Sequence, residues 1–83
     1  MIQTGMIVKS IAGHDKGSFY IAVKVDEKCA YICDGRIRMI EKPKKKNLNH
    51  LVKTNKIFDM AVIETNKEIK KRLWDYNFAN KVS

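Results

Sequence analysis

Residues 19–25 read FYIAVKV, and the alternation within this stretch decides the predicted fold. Phe19, Ile21, Val23 and Val25 would lie on one side of an extended chain, and the residues between them on the other. This period of two, carried by aromatic and β-branched side chains, is typical of a β-strand. The stretch is therefore predicted to be a strand of a sheet.

Similar short runs lie on either side of this strand. MIVKSI at 6–11 predicts an earlier strand, and CAYIC at 29–33 predicts the returning strand of a hairpin. The Asp-Gly pair at 34–35 tolerates positive φ and marks a second turn, after which Ile37 and Met39 would face inward in a fourth strand. Short strands joined by tight turns favour a small barrel, which leaves few open edges.

The C-terminal segment changes to a helical period. Thr65 and Glu68 have the spacing of a capping box, in which Thr65 is the N-cap and the Glu68 side chain reaches back. A helix is predicted over 66–76, with Trp74 helping it to dock on the barrel and with 77–83 frayed. Its core-facing apolar side chains would be Ile69, Leu73 and Tyr76.

We therefore predict an all-β chain, with a small barrel over 1–63 and a C-terminal helix and short tail over 64–83 that pack on or beside it. The apolar run at 57–63 would close the barrel or lead out of it. The composition, 45% hydrophobic and 31% charged, is that of a globular domain. No window approaches the ~20 apolar residues of a membrane span, and the N-terminus lacks the pattern of a secretory signal. We expect a cytoplasmic protein with no membrane partner.

The formal charge of +8 is concentrated in one segment of the chain. Basic and acidic side chains balance over 1–35, whereas 36–56 carry a single acid, Glu41. Such asymmetry indicates a polyanionic partner, nucleic acid first and an anionic membrane surface second; a charged face that only keeps the protein in solution is the alternative. The basic side chains of this segment that are predicted to neutralise phosphates are Arg36, Arg38, Lys42, Lys44, Lys45, Lys46 and Lys53.

The loop GHDKG at 13–17 is the second candidate contact. Glycines at both ends let the backbone take positive φ and approach another backbone closely, including a phosphodiester chain. A plain tight turn is the alternative explanation of the same spacing. The residues of this loop that are predicted to approach the sugar–phosphate chain are Gly13, His14, Lys16, Gly17 and Ser18.

Catalytic and metal-binding constellations do not emerge from the sequence. There is no phosphate-binding P-loop, no nucleophile elbow and no pair of carboxylates in an apolar setting, so we expect no enzyme and no cofactor. Cys29 and Cys33 would lie ~13 Å apart on one strand, too far for a disulfide, and are predicted to be buried thiols. His14 and His50 are distant in sequence and no Cys-x-x-Cys pair is present, so no metal site is expected.

Several blocks of the sequence, taken in order, resemble the KOW family. Residues 5–25 resemble the KOW motif of strand, Gly-x-Asp-Lys-Gly turn and strand, with Gly17 matching the motif's hallmark glycine. Many KOW proteins carry another glycine three residues later, where this chain has Tyr20, and that departure is similar to the archaeal and eukaryotic large-subunit ribosomal proteins of the fourteen-e type. The Asp-Gly pair at 34–35, the basic run and the NLNHL stretch at 47–51 follow in the order of that family. Small KOW-containing RNA-binding proteins of low-GC Gram-positive bacteria are also similar, through the blocks AGHDKG, DGR, PKKK and HL.

The resemblance covers about residues 5–74. It implies an SH3-like β-barrel that binds RNA and associates with the ribosome. Asn47 and His50, in the segment that would anchor the basic run, are also predicted to be RNA-binding residues. We expect RNA, either ribosomal RNA or the assembled ribosome, as the partner of a monomeric protein. An adapter that binds proteins of the translation or transcription machinery is the main alternative, and charge alone does not separate RNA from DNA.

Overall fold

The computed structural model describes residues 1–78, which form one antiparallel β-sheet and one C-terminal α-helix. The strands are β1 (Met6–Ser10), β2 (Phe19–Val25), β3 (Cys29–Cys33), β4 (Lys44–Asn47) and β5 (Leu51–Ile57). They pair in the order β4-β3-β2-β1-β5, so β4 and β5 are the two edges of the sheet. A 3₁₀ turn (Leu48–His50) joins these edges, and helix α1 (Asn66–Asn77) follows β5. The mostly β fold with a C-terminal helix agrees with the prediction.

Strand β2 is the centre of the sheet and is buried on both faces. Tyr20 and Ala22 lie on one face, and Ile21 lies on the other with 0% exposure. The predicted alternation is therefore correct up to Val23, which packs on the face of Ile21, but neither face of the strand is left to solvent. A register shift against β3 between Ala22 and Lys24 then moves Val25 onto the face of Tyr20, so its predicted side was wrong.

The face of Tyr20, which we call the inner face, gathers a core from four strands. Its buried members are Met6, Val8, Tyr20, Ala22, Ala30, Ile32 and Leu51. Leu48 of the 3₁₀ turn packs against this core. The inner face is thus covered by residues of the sheet and its connections, while helix α1 lies on the opposite face.

Helix α1 packs on the face of Ile21, which we call the helix face. Ile69 and Leu73 are buried there, together with Ile63 from the segment that leads out of β5. Thr65 is the N-cap as predicted, because its hydroxyl accepts a hydrogen bond from the backbone N–H of Glu68 at 3.2 Å. The Glu68 carboxylate pairs instead with Arg72 one turn later, at 3.5 Å.

The predicted docking role of Trp74 was wrong. Its side chain is 48% exposed, whereas Tyr76 packs its ring against Phe19 of β2 at 5.2 Å between centroids. Asn77 also holds β2: its Oδ1 accepts from the Phe19 N–H at 2.8 Å and its Nδ2 donates to the Phe19 carbonyl at 3.1 Å. Asn77 is therefore anchored rather than frayed, while 79–83 lie outside the described residues.

The predicted strand after the Asp-Gly turn does not form. The Asp34 carboxylate accepts hydrogen bonds from the backbone N–H groups of Arg36 and Arg38, each at 2.9 Å. A side chain that takes these donors competes with a sheet ladder for them, so the chain curls into a turn. Ile37 and Met39, predicted to face inward, are 78% and 42% exposed.

Gly35 places this turn against the start of the helix. Its φ is +76°, and a Cβ there would collide with the backbone carbonyl of Asn66. The Asn66 side chain in turn accepts a hydrogen bond from the Ile40 N–H at 2.6 Å. The segment 34–43 therefore crosses from β3 to the helix N-terminus, and the fourth strand is the lysine run itself.

Candidate functional site

Strand β4 divides the lysine run into two sets, because successive side chains of a strand point to opposite faces. Lys44 pairs with Ile32 and Lys46 with Ala30, both residues of the inner face. Lys45 lies opposite Tyr31 and is exposed. The run was predicted to be one patch of phosphate contacts, but its members differ: Lys46 is only 8% exposed.

The two inward lysines converge on one carboxylate, Asp15 of the GHDKG loop. Lys46 Nζ lies 2.7 Å from Asp15 Oδ1, and Lys44 Nζ lies 3.1 Å from Asp15 Oδ2. The hydroxyl of buried Ser10 donates to Oδ1 at 2.7 Å, and Lys46 also donates to the Ala12 carbonyl at 2.7 Å. We call Ser10, Asp15, Lys44 and Lys46 the Asp15 cluster.

The Asp15 cluster keeps its carboxylate ionised. Burial alone would raise the pKa of Asp15, but hydrogen bonds from Lys46, Ser10 and Lys44 hold the pKa well below its usual range. The single negative charge of Asp15 therefore offsets one of the two positive charges of Lys44 and Lys46, and both ammonium groups are held by hydrogen bonds to it. The cluster also ties the loop at 13–17 to β4.

Opposite this loop lies the turn that Asp34 organises, and a cleft separates them. The first part of the cleft, of about 240 Å³, is lined by His14, Asp15, Ser18, Tyr20, Ile37, Arg38 and Lys44. A second part, of about 100 Å³, shares Ser18, Tyr20 and Ile37 with it and adds Asp34, Arg36, Asn77 and Phe78. We call the two parts together the loop–turn cleft.

A neutral phenol lies between the two parts of the loop–turn cleft. Burial, and then the negative charges of Asp15 and Asp34, raise the pKa of Tyr20. Its hydroxyl is protonated at physiological pH, as that of an ordinary tyrosine is, and can donate a hydrogen bond. The cleft thus combines cations on its rim with a hydroxyl donor on its wall.

The structure brings some of the predicted contacts together and separates others. His14, Ser18, Arg38 and Lys44 line the first part of the loop–turn cleft, and Arg36 lines the second. The remaining predicted contacts lie outside its lining: Gly13, Lys16, Gly17, Lys42, Lys45, Lys46, Asn47, His50 and Lys53.

Two of these outlying residues have structural contacts at the 3₁₀ turn. Asn47 is its N-cap and accepts a hydrogen bond from the Asn49 N–H at 2.8 Å. The carbonyl of His50 accepts from the Ile11 N–H at 2.9 Å. Lys53 lies in the edge strand β5 and is exposed.

Gly17 has the backbone that the loop requires. Its φ is +94°, a backbone conformation that residues with a Cβ rarely adopt. Apart from Gly17 itself and its two chain neighbours, no described atom lies within 4 Å of the position that a Cβ would take, so the space beside this glycine is open. The loop can therefore be approached from outside at this point.

Sequence reasoning missed the partner of the lysines. Asp15 and Lys46 are 31 residues apart, and no local pattern links them. The one available signal was an acidic residue inside a loop that was expected to approach phosphates. Tyr20 was also missed as a cleft residue, because strand alternation places it without showing which loops come together beside it.

The structure also shows where the two cysteines and the possible metal-ligating side chains lie. Both cysteines are free thiols; Cys33 is buried, and this burial raises its pKa to about 12. Within residues 1–78, no three His, Cys, Asp or Glu side chains are grouped to hold a metal ion. In the same part of the chain, no helix has the length and apolar character needed to cross a bilayer.

Comparison of the chain with protein-family models gave no match, and comparison with curated proteins gave no significant relative.

Proposed function

We propose that the protein binds RNA through the loop–turn cleft and the exposed cations around it. The observation that carries this proposal is the convergence of two distant segments, the loop at 13–18 and the turn at 34–38, across one cleft. Both segments were singled out from the sequence for separate reasons, backbone approach in one and charge in the other. Their meeting gives a polyanion a concave site with cations on its rim.

The proposed fold behind this site is an SH3-like barrel of the KOW type. The strand order β4-β3-β2-β1-β5, with a 3₁₀ turn between the two edge strands, supports it. A second support is the burial of the inner face, although helix α1 packs on the other face. A single sheet buries such a face by curling on itself.

The cations that would contact phosphates are the exposed ones on the segments that contribute residues to the loop–turn cleft. Arg36 and Arg38 lie on the turn, Lys16 on the loop, and Lys42 and Lys45 on the segment that leads into and along β4. Lys46 takes a different role: through Asp15 it holds the loop in place. Lysine-rich contacts position a nucleic acid without reading its bases, so the proposed recognition is of RNA shape. Ribosomal RNA is the proposed target, and the resemblance to KOW ribosomal proteins supports it.

Salt dependence of binding tests this proposal. A fluorescently labelled ribosomal RNA hairpin is titrated with the protein at several salt concentrations, and binding is followed by anisotropy. The slope of log K against log salt is negative, and each lost phosphate contact makes it shallower by ~0.7–0.9. The double variant Arg36→Gln/Arg38→Gln is therefore expected to make the slope less negative by ~1.5.

Lys28→Gln is the matched control for this experiment. Lys28 is exposed in the turn between β2 and β3, at the far end of β2 from the cleft. Its variant removes one cation but should leave the slope nearly unchanged. Equal slopes for the double variant and the wild type would overturn the proposed site, and competition by duplex DNA as effective as by RNA would overturn the preference for RNA.

One observation favours a second candidate function, a protein-binding adapter. An apolar depression of about 370 Å³ lies at the end of β2, lined by Ile2, Val25 and Leu48 with Asp26 and Glu27 at its side. Among its described lining residues there are two acids and no Lys or Arg, so a peptide with apolar and basic residues fits it better than a polyanion. Such binding would be insensitive to the arginine variants and would be lost in Val25→Lys.

A further inference from the structure

We propose that helix α1 carries a stacking platform for unpaired RNA bases, formed by Trp74 and Phe78 and joined to the loop–turn cleft through Arg36. This inference rests on the proposed RNA binding and adds what the helix would recognise. Its occupant would be the unpaired nucleotides that flank an RNA segment held in the cleft.

Three flat groups lie in series from the cleft to the outer side of the helix. The Arg36 guanidinium carbon is 4.7 Å from the centroid of the Phe78 ring. The Phe78 ring is in turn 4.4 Å from that of Trp74, with 33° between the ring planes. Arg36 and Phe78 both line the second part of the cleft, so the series begins where the proposed phosphate contacts end.

Trp74 is free for such a role because other residues dock the helix. Ile69 and Leu73 are buried against the sheet and Tyr76 packs on Phe19, whereas Trp74 is 48% exposed. A large aromatic ring left half in water on a helix surface offers apolar area to a partner. Nucleobases stack on such rings whatever their sequence, because every base has a π-face.

Lysines surround the ring and indicate the charge of the partner. An open depression of about 450 Å³ is bordered by Lys67, Lys70, Lys71 and Trp74, and Asp75 is the acid among its described lining residues. Their spacing places them on one side of the helix, away from Ile69 and Leu73. A purely apolar protein partner would gain nothing from three ammonium groups, whereas a nucleotide supplies a phosphate and a ring to the same site.

Trp74 is the only tryptophan of the chain, so its fluorescence reports directly on this site. Two RNA probes are titrated: a blunt-ended hairpin, and the same hairpin with a single-stranded extension of eight adenosines. The extended hairpin is expected to quench Trp74 and to bind about 5- to 100-fold more tightly than the blunt one.

Two variants separate stacking from charge. Trp74→Leu should abolish the advantage of the extended hairpin in anisotropy titrations, while leaving the affinity for the blunt hairpin, its salt slope and the urea midpoint unchanged. Trp74→Tyr, which keeps an aromatic ring, should retain most of the advantage. Arg36→Gln/Arg38→Gln should weaken binding of both hairpins.

The outcomes distinguish this inference from the proposed function. Equal affinities of the wild type for the two hairpins would overturn the platform while leaving RNA binding in the cleft intact. No binding of either hairpin would overturn both. Quenching or a blue shift of Trp74 by vesicles with anionic lipid, without an effect of the RNA extension, would assign the helix surface to a membrane and also overturn the inference.

Discussion

The Asp15 cluster gives the most direct test of how the structure uses its charges. The perturbation is Asp15→Asn, which keeps the size of the side chain and removes its negative charge. In the variant, Lys46 Nζ would keep the Ala12 carbonyl as a partner but lose its counter-ion at 2.7 Å. Because Lys46 is 8% exposed, its ammonium group would then be nearly buried without a compensating charge.

The size of the effect follows from this burial. Removing one partner of a buried ion pair costs about 3–5 kcal/mol. The side chain of Lys44 is 29% exposed and can turn to water, and the amide oxygen of the introduced asparagine would still accept a hydrogen bond, so about 2–4 kcal/mol is expected. A chain of 83 residues has a total stability of about 4–12 kcal/mol, so the loss is a large part of it.

Urea unfolding followed by far-UV circular dichroism measures this loss, and its pH dependence identifies the cause. The pKa of Asp15 is lowered in the folded protein, so its contribution is present in full above the unfolded pKa of about 4. That contribution disappears as the pH falls further, towards the folded pKa. The difference between wild type and variant should therefore be greatest near pH 7 and shrink below about pH 4.

Two controls accompany the Asp15→Asn measurement. Asp75→Asn removes an exposed carboxylate from the helix and should change the free energy of unfolding by less than about 0.5 kcal/mol. Adding Lys46→Met to Asp15→Asn should restore part of the stability, because the uncompensated ammonium group is gone. A loss below about 0.5 kcal/mol at pH 7, or a loss that is the same at pH 7 and pH 3, would refute the structural role of the cluster.

Three other outcomes follow from local geometry. Gly35→Ala should lower the free energy of unfolding by more than about 2 kcal/mol, since φ is +76° and a Cβ would collide with the helix backbone. Gly17→Ala should lower it by only about 1 kcal/mol, because its φ is +94° but the space beside it is open. Urea midpoints in the reverse order would contradict this. With the thiol reagent DTNB at pH 8, Cys29 should react in the folded protein, and Cys33, whose pKa burial raises to about 12, only after unfolding; two equally fast thiols would refute this. Thr65→Ala should lower the free energy of unfolding by about 1 kcal/mol, and Thr65→Ser, which keeps the hydroxyl, should change it little. Thermal unfolding measures both, and equal losses would contradict the N-cap.

Local sequence patterns were sufficient to predict the elements that are determined by residues close together in the sequence. FYIAVKV is a strand at the predicted bounds, and the helix begins after Thr65 because the cap is a contact over three residues. The strand predicted to follow Asp34 failed for a related reason. Its alternation is genuine, but one carboxylate takes two of the backbone donors that a ladder would need.

The parts of the candidate site that could not be predicted depend on distant contacts. The lysine run is a strand, and its pairing with β3 decides that Lys46 turns inward and Lys45 outward. The Asn77 contacts with Phe19 join residues 58 positions apart. Helical spacing correctly placed Tyr76 on the docking face, but only packing shows that its partner is Phe19 and that Trp74 takes no part in docking.

The Asp15 cluster also limits which part of the basic segment a polyanion can use. A phosphate that displaced Asp15 from Lys46 would leave an ionised carboxylate without its partners in a half-buried position, and this cost would offset most of the attraction between the phosphate and the lysine. The exposed cations Arg36, Arg38 and Lys45 carry no such cost. Asp15 therefore has two consequences. It engages both ammonium groups and neutralises one of their two charges, and it holds the loop that forms one wall of the cleft. Lys45, which is proposed to bind phosphate, and Lys46, which holds the loop through Asp15, are adjacent in sequence but lie on opposite faces of β4.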